Sequence, residues 1–465
     1  MGSQEGSSAS QLHVVMFPWF AFGHITPFVQ LSNKLASHGV QISFLSAPGN
    51  IQRISLSLNS SPLIKIIPVH IPPVEGLPPG LDSTSDMSPA LADLLKIAAD
   101  KMQPQIKSIL IDLKPHIIFI DFEQHWIPST ASSLGIKTFN FSVFAAACEA
   151  YVTNPYRESP TIDDLKKPPP GFPTTSISSL STYQARDFLY PFMSFNGGPS
   201  VQQRVQTTRK SCDAIVMKSC HEMEGPYIDY IRQHYGKPVL LTGPIVPDAP
   251  KYKLEEKWEN WLQKFPAKSV LFCSFGSETF LTDEQIKELL LGLEQTGLPF
   301  FVVLNFPSGD GDSNEKLKNA LPVGFAERVQ GKGVVHTGWV QQQAILAHDS
   351  VGCYVNHSGL SSVIEAFIND CQLVMLPQKG DQFLNSMLIS GDLKAGVQVI
   401  RDDEDGHFNK EDLCKAVKMV TVDVNEEPGK SISANHGKWR DFLLNKDIQD
   451  GFITNLVEEM KKMVN

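Results

Sequence analysis

The sequence predicts an α/β protein in which two parallel β-sheets, each covered by helices, form two successive halves of the chain. Short apolar runs alternate with amphipathic helical patterns, which is typical of parallel sheets that are buried on both faces. This alternation stops at a Pro-rich polar passage, "IVPDAPKYKLEEKW", and then starts again. At 465 residues the chain is also too long for one ordinary hydrophobic core. We therefore expect two α/β domains.

The first half begins with a predicted strand at Val14–Phe17, a Gly-containing loop, and a helix whose apolar face carries Phe28, Leu31 and Leu35. Further strands are predicted at the apolar runs "VQISFLSAP", "LIKIIPVHIP", "HIIFIDF", "AIVMKS" and "PVLLTGP". The segment "DDLKKPPPGFP" cannot be helical through its proline run, so it is predicted as a surface loop or lid.

The second half repeats the strand–loop–helix pattern. Its predicted strands are "SVLFCSFGS", "PFFVVL", "GVVHTGW", "VGCYVNH" and "QLVMLP", and the chain ends in an amphipathic helical pattern. We expect a first domain over residues 1–245, a linker over 246–258 and a second domain over 259–445. The helix predicted over 446–465 is expected to pack back on the first domain.

The bulk composition argues against two classes of protein. A formal net charge of −10 at pH 7 leaves no basic surplus for binding nucleic acid. Apolar runs of about 18 residues are missing, so no membrane span is expected. The seven cysteines form no CxxC pair, and "MGSQEGSSASQ" lacks an apolar signal region. The sequence therefore indicates a cytoplasmic protein, which we expect to be a monomer.

Polar residues that directly follow the predicted strands are the candidate site, because ligands of open parallel sheets bind beyond the carboxyl ends of the strands. His24 and Asp121 occupy such positions in the first half. Histidine is suited to proton abstraction near neutral pH, and an acid can orient the imidazole. A lone His is more often a packed or capping residue, and an acid at a strand end is often a cap. The residues alone leave these alternatives open.

The stretch "VNHSGLSSVIEAF", residues 355–367, also allows two interpretations. Ser362 followed three residues later by Glu365 fits a capping box. Alternatively, the turn is an anion site, in which bare N–H groups and the positive end of a helix dipole attract phosphate.

The absence of three well-known motifs narrows the range of reactions that the chain could catalyse. The chain contains no GxSxG elbow, no P-loop and no GxGxxG fingerprint. The acidic clusters "DGD" (310–312) and "DDED" (402–405) lie among Gly and charged residues, so we interpret them as solvated loops and expect no metal site. An enzyme that binds phosphate without a metal ion has to offset the phosphate charge with helix N-termini, His side chains and hydroxyl donors.

Residues 339–382 closely resemble the signature box of plant family 1 glycosyltransferases. The segments "FPWFAFGHITP", "IDF" and "CSFGS" are similar to the family's N-terminal loop, its conserved acid and its phosphate loop. The box positions that fall in register are Trp339, Gln342, His348, His357, Gly359, Ser362, Glu365, Pro377, Asp381 and Gln382.

The resemblance implies a GT-B fold, with two facing Rossmann-like domains and a cleft between them. It implies that the first domain binds the acceptor and the second domain binds a UDP-sugar. Transfer would be inverting and independent of metal, with the UDP-sugar as donor substrate and no further cofactor. A non-catalytic UDP- or flavonoid-binding protein of the same fold is the alternative from another functional class.

The resemblance also implies roles for individual residues. His24 would be the general base on the acceptor hydroxyl, with Asp121 as its partner. Trp339 would stack on uracil, and Asp381 with Gln382 would hold the transferred sugar. The residues implied to bind the UDP-sugar are Ser277, Trp339, Val340, Gln342, His357, Gly359, Ser361, Ser362, Glu365, Asp381 and Gln382.

Leu360-Ser361 departs from the Trp-Asn that is usual in the family. Such departures are typical of a branch-forming subgroup, which adds a second sugar to a sugar already on a flavonoid. The segments "DFEQHWIP" and "NDCQLVMLPQKGDQFLN" resemble that subgroup, particularly flavonoid 3-O-glucoside rhamnosyltransferases. We therefore expect a UDP-rhamnose donor and a flavonoid or anthocyanin 3-O-glycoside acceptor, with UDP-xylose or UDP-glucose as alternative donors.

Overall fold

The fold consists of two parallel β-sheets, one in each half of the chain. The computed structural model describes residues 11–55, 57–58, 61–250, 252–276, 278–306 and 312–464. The strands of the first sheet are β1 (His13–Phe17), β2 (Gln41–Ser46), β3 (Ile64–Pro68), β4 (Ile117–Ile120), β5 (Lys137–Ser142), β6 (Ala214–Met217) and β7 (Val239–Leu241). Those of the second sheet are β8 (Val270–Ser274), β9 (Phe300–Val303), β10 (Gly333–His336), β11 (Val351–Asn356), β12 (Gln372–Met375) and β13 (Val397–Gln398).

The strand order places a crevice in each sheet. The first sheet has the order β3-β2-β1-β4-β5-β6-β7, and the second has β10-β9-β8-β11-β12-β13. The described pairings are parallel. The order reverses direction between β1 and β4 and again between β8 and β11, and ligands of doubly wound sheets bind beyond the carboxyl ends of the strands at such points. Parallel pairing confirms the predicted fold class.

Helices cover both sheets. Those of the first half are α1 (Phe22–Ser37), α2 (Pro48–Ile54), α3 (Pro89–Asp100), α4 (Gln103–Leu113), α5 (Ile127–Ser132), α6 (Ala146–Tyr151), α7 (Ile162–Leu165), α8 (Thr182–Asp187), α9 (Val201–Ser211) and α10 (His221–Tyr235). The remaining helices are α11 (Glu256–Leu262), α12 (Asp283–Thr296), α13 (Ser313–Ala320), α14 (Phe325–Arg328), α15 (Gln342–Leu346), α16 (Leu360–Ile368), α17 (Gln382–Met387), α18 (Lys410–Thr421), α19 (Gly429–Leu444) and α20 (Lys446–Val464). Shorter turns are the 3₁₀ segments Thr84–Asp86 and Tyr190–Phe192 and the π-helical turn Leu388–Asp392.

Two strands, β5 and β13, were not predicted from the sequence. β5, "KTFNFS", alternates polar and aromatic residues, yet it lies between β4 and β6. Two of its buried polar side chains have partners: Ser142 donates to Glu149 at 2.6 Å, and Asn140 donates to the carbonyl of Asp121 at 3.3 Å. The segment "DDLKKPPPGFP" begins in the last turn of α7, and its proline run is non-helical as predicted.

Apolar packing joins the two halves. The first sheet's core contains the apolar face of α20, through Ile453, Leu456, Val457 and Met460. A second buried cluster contains side chains of both sheets, among them Met217 of β6 and Phe272 of β8. The carboxyl ends of the two sheets are therefore held in one packed body. Across the ranges given above, no helix combines the length and apolar character that crossing a bilayer requires.

A buried ion pair ties α6 to α9 behind β5. The Arg209 guanidinium, 1% exposed, donates to the carboxylate of Glu149 and to the hydroxyl of Tyr235 at 3.3 Å. Glu149 also accepts from Ser142 and Thr153. Burial alone would raise the pKa of Glu149, but Arg209 and the hydrogen bonds lower it by more. The carboxylate is therefore charged and fully paired inside the first half.

Candidate active site

The crevice at the carboxyl ends of β1 and β4 brings together the two residues predicted to be catalytic. His24 lies in the first turn of α1, directly after β1, and Asp121 directly follows β4. Nδ1 of His24 is 2.8 Å from Oδ2 of Asp121, and the two side chains are 12% and 2% exposed. Residues 97 positions apart in the sequence therefore form one hydrogen-bonded pair.

Backbone groups fix the Asp121 carboxylate. Oδ2 accepts from the N–H of Trp19 at 3.2 Å, and Oδ1 accepts from the N–H of Phe122 at 2.8 Å. Because a carboxylate only accepts hydrogen bonds, Nδ1 of His24 carries the proton in this pair. Nε2 then holds the free lone pair, which is the tautomer that a general base needs.

Aromatic rings and carboxylates surround the His24 imidazole. The rings of Phe122 and Phe144 lie 5.1 and 5.2 Å from it, centre to centre. Burial is the largest single influence and lowers the pKa of His24, but the carboxylates around the ring, Asp121 first among them, together raise it by more, so the pKa lies above the ordinary 6.5. The carboxylates of Glu278 and Asp381, in the second half, contribute to the same upward shift.

Asp121→Asn is expected to move the acid limb of the kcat/KM profile to lower pH. In the wild type, the rate falls as pH drops through the His24 pKa, since the protonated ring cannot accept a proton. Removing the carboxylate leaves burial as the dominant influence, so the pKa falls and the limb moves with it. The plateau should also fall at least about 10-fold, because the imidazolium loses its stabilising charge. Glu278→Gln serves as the comparison and should produce a smaller shift in the same direction; a limb that stays in place in both variants would mean that another group titrates.

The predicted uridine-binding residues lie together at the carboxyl ends of β10 and β11. The Trp339 side chain is 76% exposed, so its ring is free to stack on a base, while Val340 is buried. Gln342 begins α15, and its amide Nε2 donates to Glu365 at 2.8 Å. Gln343, which the sequence did not single out, donates to the other Glu365 oxygen at 3.0 Å. Two amides thus hold the carboxylate at a fixed position.

The turn after β11 is built around the His357 ring. A Cβ on Gly359 would lie 2.7 Å from Nε2 of His357, and one on Gly276, whose φ is +75°, would lie 3.1 Å from the ring, so a side chain at either position would press on the imidazole. Ser358 has a φ of +68°, which turns the chain sharply into α16. Burial first, and then Lys379, lowers the pKa of His357 to about 4, so the ring is neutral at pH 7.

The predicted capping box at Ser362 and Glu365 is wrong. Helix α16 begins at Leu360, with Gly359 as its N-cap and no side-chain cap, and Glu365 bonds the amides of α15 instead. The first N–H groups of an uncapped helix lack intrahelical partners and attract anions. The capping interpretation of this stretch is therefore excluded, and the anion site stays a prediction.

The sugar end of the predicted site lies at α17. Oδ2 of Asp381 accepts from the Asn385 amide at 2.8 Å, and burial raises the pKa of Asp381 while His24 is among the groups that oppose this shift. Oε1 of Gln382 accepts from the N–H groups of Gln378 and Lys379 at 2.9 and 3.1 Å. Ser277, which was also predicted to bind the donor, lies outside the described residues.

Two polar contacts across the crevice were missed by the sequence analysis. Nζ of Lys218, directly after β6, donates to Oγ of Ser361 at 2.8 Å, and Thr84 donates to Glu278 at 2.7 Å. Lys218 ends the apolar run "AIVMK", so the strand-end rule could have found it.

The acidic clusters do not form a metal site among the described residues. The described residues contain no group of three His, Cys, Asp or Glu side chains that could hold a metal ion. Residues 402–405 are exposed, and Asp402 accepts from the N–H groups of Glu404 and Asp405 in a tight turn. Asp312 caps α13, while residues 310 and 311 lie outside the described ranges.

Sequence comparison finds relatives over the full length of the chain. An anthocyanidin-3-O-glucoside rhamnosyltransferase of Petunia hybrida is 58% identical over 468 residues, covering 100% of this chain and 99% of the relative. A cyanidin 3-O-galactoside 2″-O-xylosyltransferase of Actinidia chinensis var. chinensis is 43% identical over 462 residues, covering 98% and 99%. Residues 227–430 match the family described as UDP-glucoronosyl and UDP-glucosyl transferase.

Structural comparison gives the fold. A glycosyltransferase structure from Glycyrrhiza uralensis, solved in complex with glycyrrhetinic acid 3-O-monoglucuronide, superposes with a TM-score of 0.81. The match covers 98% of this chain and 96% of that chain at 22% identity, a level at which the likeness concerns the fold alone. It confirms the predicted GT-B arrangement of two Rossmann-like sheets.

Proposed function

The chain belongs to the UDP-glucoronosyl and UDP-glucosyl transferase family, and on this basis we propose that it transfers rhamnose from a UDP-sugar to a sugar hydroxyl of a flavonoid 3-O-glycoside. The observation that carries the proposal is the oriented His24–Asp121 pair, and the charge of Asp381 in the second half adds to the raised pKa of His24. The proposed base on one half is thus within electrostatic reach of the carboxylate that we propose holds the transferred sugar on the other half.

The proposed reaction is a single displacement. Nε2 of His24 takes the proton of the acceptor hydroxyl while the hydroxyl oxygen bonds to the anomeric carbon of the donor sugar. The bond from that carbon to the β-phosphate oxygen breaks on the opposite face, so the configuration inverts and the electron pair leaves with UDP. Asp121 stabilises the imidazolium, which then releases its proton to solvent. Holding both reactants in one crevice supplies a large part of the rate gain.

We propose that the second half binds the UDP group. The exposed ring of Trp339 supports stacking on uracil, with the Val340 backbone at the base edge. Glu365, held by two amides, retains lone pairs for the ribose hydroxyls, with Gln342 beside it. The residues proposed for the diphosphate are Ser277, His357, Gly359, Ser361 and Ser362, and those for the sugar are Asp381 and Gln382.

The names of the two relatives support the acceptor class more strongly than the donor. Both describe transfer to a glycoside of an anthocyanidin, but one transfers rhamnose and the other xylose. Donor choice depends on a few buried hydrogen bonds to the sugar, each of which can discriminate strongly. We therefore propose rhamnose from the relative with 58% identity and keep UDP-xylose and UDP-glucose as alternatives.

A product-mass screen tests the proposal. The protein is incubated with UDP-rhamnose, UDP-xylose or UDP-glucose, each with quercetin 3-O-glucoside, cyanidin 3-O-glucoside or the free aglycones. We expect a deoxyhexose added to the glucosides, with UDP-rhamnose giving at least about 10-fold higher kcat/KM than the other donors. A product formed only from aglycones would refute the acceptor class. UDP binding with no product from any pair would favour the non-catalytic alternative.

We further propose a cytoplasmic monomer that needs no metal or cofactor beyond the UDP-sugar. All seven cysteines are buried and unpaired, which suits a reducing compartment. Both walls of the crevice come from one chain, and helix N-termini with His and hydroxyl donors can receive a diphosphate directly.

A further inference from the structure

Lys218 is a buried cation whose side chain reaches from one half of the chain to the other. It follows β6 at the carboxyl end of the first sheet, and it is 2% exposed. Its Nζ donates to Oγ of Ser361, in the first turn of α16 in the second half, at 2.8 Å. Burying an ammonium is costly unless its donors are satisfied.

The contacts of Lys218 leave donor capacity unused. An ammonium has three N–H donors, and the structure gives Nζ one hydrogen bond within the described residues. Burial lowers the pKa of Lys218 to about 8, and Glu365 opposes this shift. The two Glu365 oxygens already accept from Gln342 and Gln343. The lysine is therefore mostly charged at neutral pH, with free donors at the uncapped end of α16.

A further buried polar atom at this turn lacks a partner within the described part of the chain. It is Oγ of Ser358, which directly precedes Gly359, the N-cap of α16. Buried hydroxyls are normally paired, so this atom, together with the unused donors of Lys218 at Ser361, indicates a site for an oxygen-rich anion.

We infer that Lys218 completes the diphosphate subsite from the opposite half of the chain, donating to a phosphate oxygen of the UDP-sugar. The inference rests on the proposed function and extends it by naming a donor-binding residue in the half that binds the acceptor. A cation there stabilises the charge that builds on UDP as the glycosidic bond breaks. It also makes donor binding dependent on the contact between the two halves.

Three substitutions separate a phosphate-binding role from a structural one. Lys218→Gln can keep the hydrogen bond to Ser361 but loses the charge, Lys218→Met loses both, and Lys218→Arg keeps the charge. Calorimetry with UDP and with uridine measures the two dissociation constants for each variant, and thermal unfolding checks that each is folded. We expect Gln and Met to weaken UDP binding about 10- to 100-fold, with uridine affinity unchanged and with Arg recovering most of the loss.

Lys237→Met is the matched control. Lys237 precedes β7, at the amino ends of the strands of the same sheet, and donates to the carbonyl of Cys212. It should leave both affinities within about twofold of the wild type. A Gln variant that binds UDP as the wild type does, or a Met variant that weakens UDP and uridine equally, would overturn the inference. Binding needs no acceptor and no turnover, so wild-type protein that fails to bind UDP would instead refute the proposed function.

Discussion

His24→Ala is expected to lower kcat for sugar transfer by about 10²–10⁴-fold while the dissociation constant for UDP stays unchanged. The imidazole lies on the first half of the chain, held at 2.8 Å by Asp121, whereas the residues proposed for UDP, Lys218 excepted, lie on the second half. Removing the ring therefore removes proton abstraction without touching the nucleotide subsite. The measurements are kcat with saturating UDP-sugar and acceptor, and calorimetric titration with UDP.

The control for this variant is His38→Ala. His38 lies at the other end of the same helix, α1, where its Nε2 pairs with Asp450 at 3.1 Å. Its removal should leave kcat within about twofold of the wild type, since it is remote from the crevice. Turnover in His24→Ala equal to that of His38→Ala would show that another group removes the proton. Loss of UDP affinity in His24→Ala would contradict the proposal that His24 acts on the acceptor and does not contribute to UDP binding.

Arg209→Met is expected to lower the free energy of unfolding by about 3–5 kcal/mol. The guanidinium is 1% exposed and pairs with Glu149, which is 5% exposed, so the substitution leaves a carboxylate buried without its counter-charge. A linear-extrapolation urea titration followed by far-ultraviolet circular dichroism measures the change. The same variant should lose the cation stacked 5.0 Å from the Tyr235 ring, which adds to the loss.

Two companion variants make the origin of this loss clear. Arg209→Met combined with Glu149→Gln should recover most of the stability, because a buried pair that is replaced entirely leaves no unpaired charge. Arg186→Met removes an exposed pair with Glu404 and should cost less than about 1 kcal/mol. A double variant as unstable as the single one would show that lost packing, and not the stranded Glu149 charge, causes the destabilisation.

The strand pattern and the positions of the candidate site residues could be predicted from the sequence because each depends on local order. Apolar runs such as "HIIFI" and "VGCYV" form strands β4 and β11, since a strand buried on both faces needs continuous hydrophobicity. Segments that follow such runs lie at the carboxyl ends of the strands, where the structure has His24, Asp121 and His357.

The partners of these residues could not be predicted in the same way. Strand β5 was missed because the burial of Asn140 and Ser142 depends on acceptors elsewhere in the chain. The capping box was predicted from a local spacing, but Glu365 finds better partners in the amides of α15. A short-range pattern cannot weigh such competition, because the energy of a polar group depends on which atoms surround it once it is buried.

The sequence by itself determined the two-sheet architecture and the positions of His24, Asp121 and His357 after strands, and the resemblance to a family supplied the roles proposed for them. Only the tertiary structure decided that Nδ1 of His24 faces Asp121, that α16 starts without a cap, and that Lys218 meets Ser361 across the two halves. The physical reason is that hydrophobic periodicity can be read along the chain, whereas these hydrogen bonds join residues 97 and 143 positions apart.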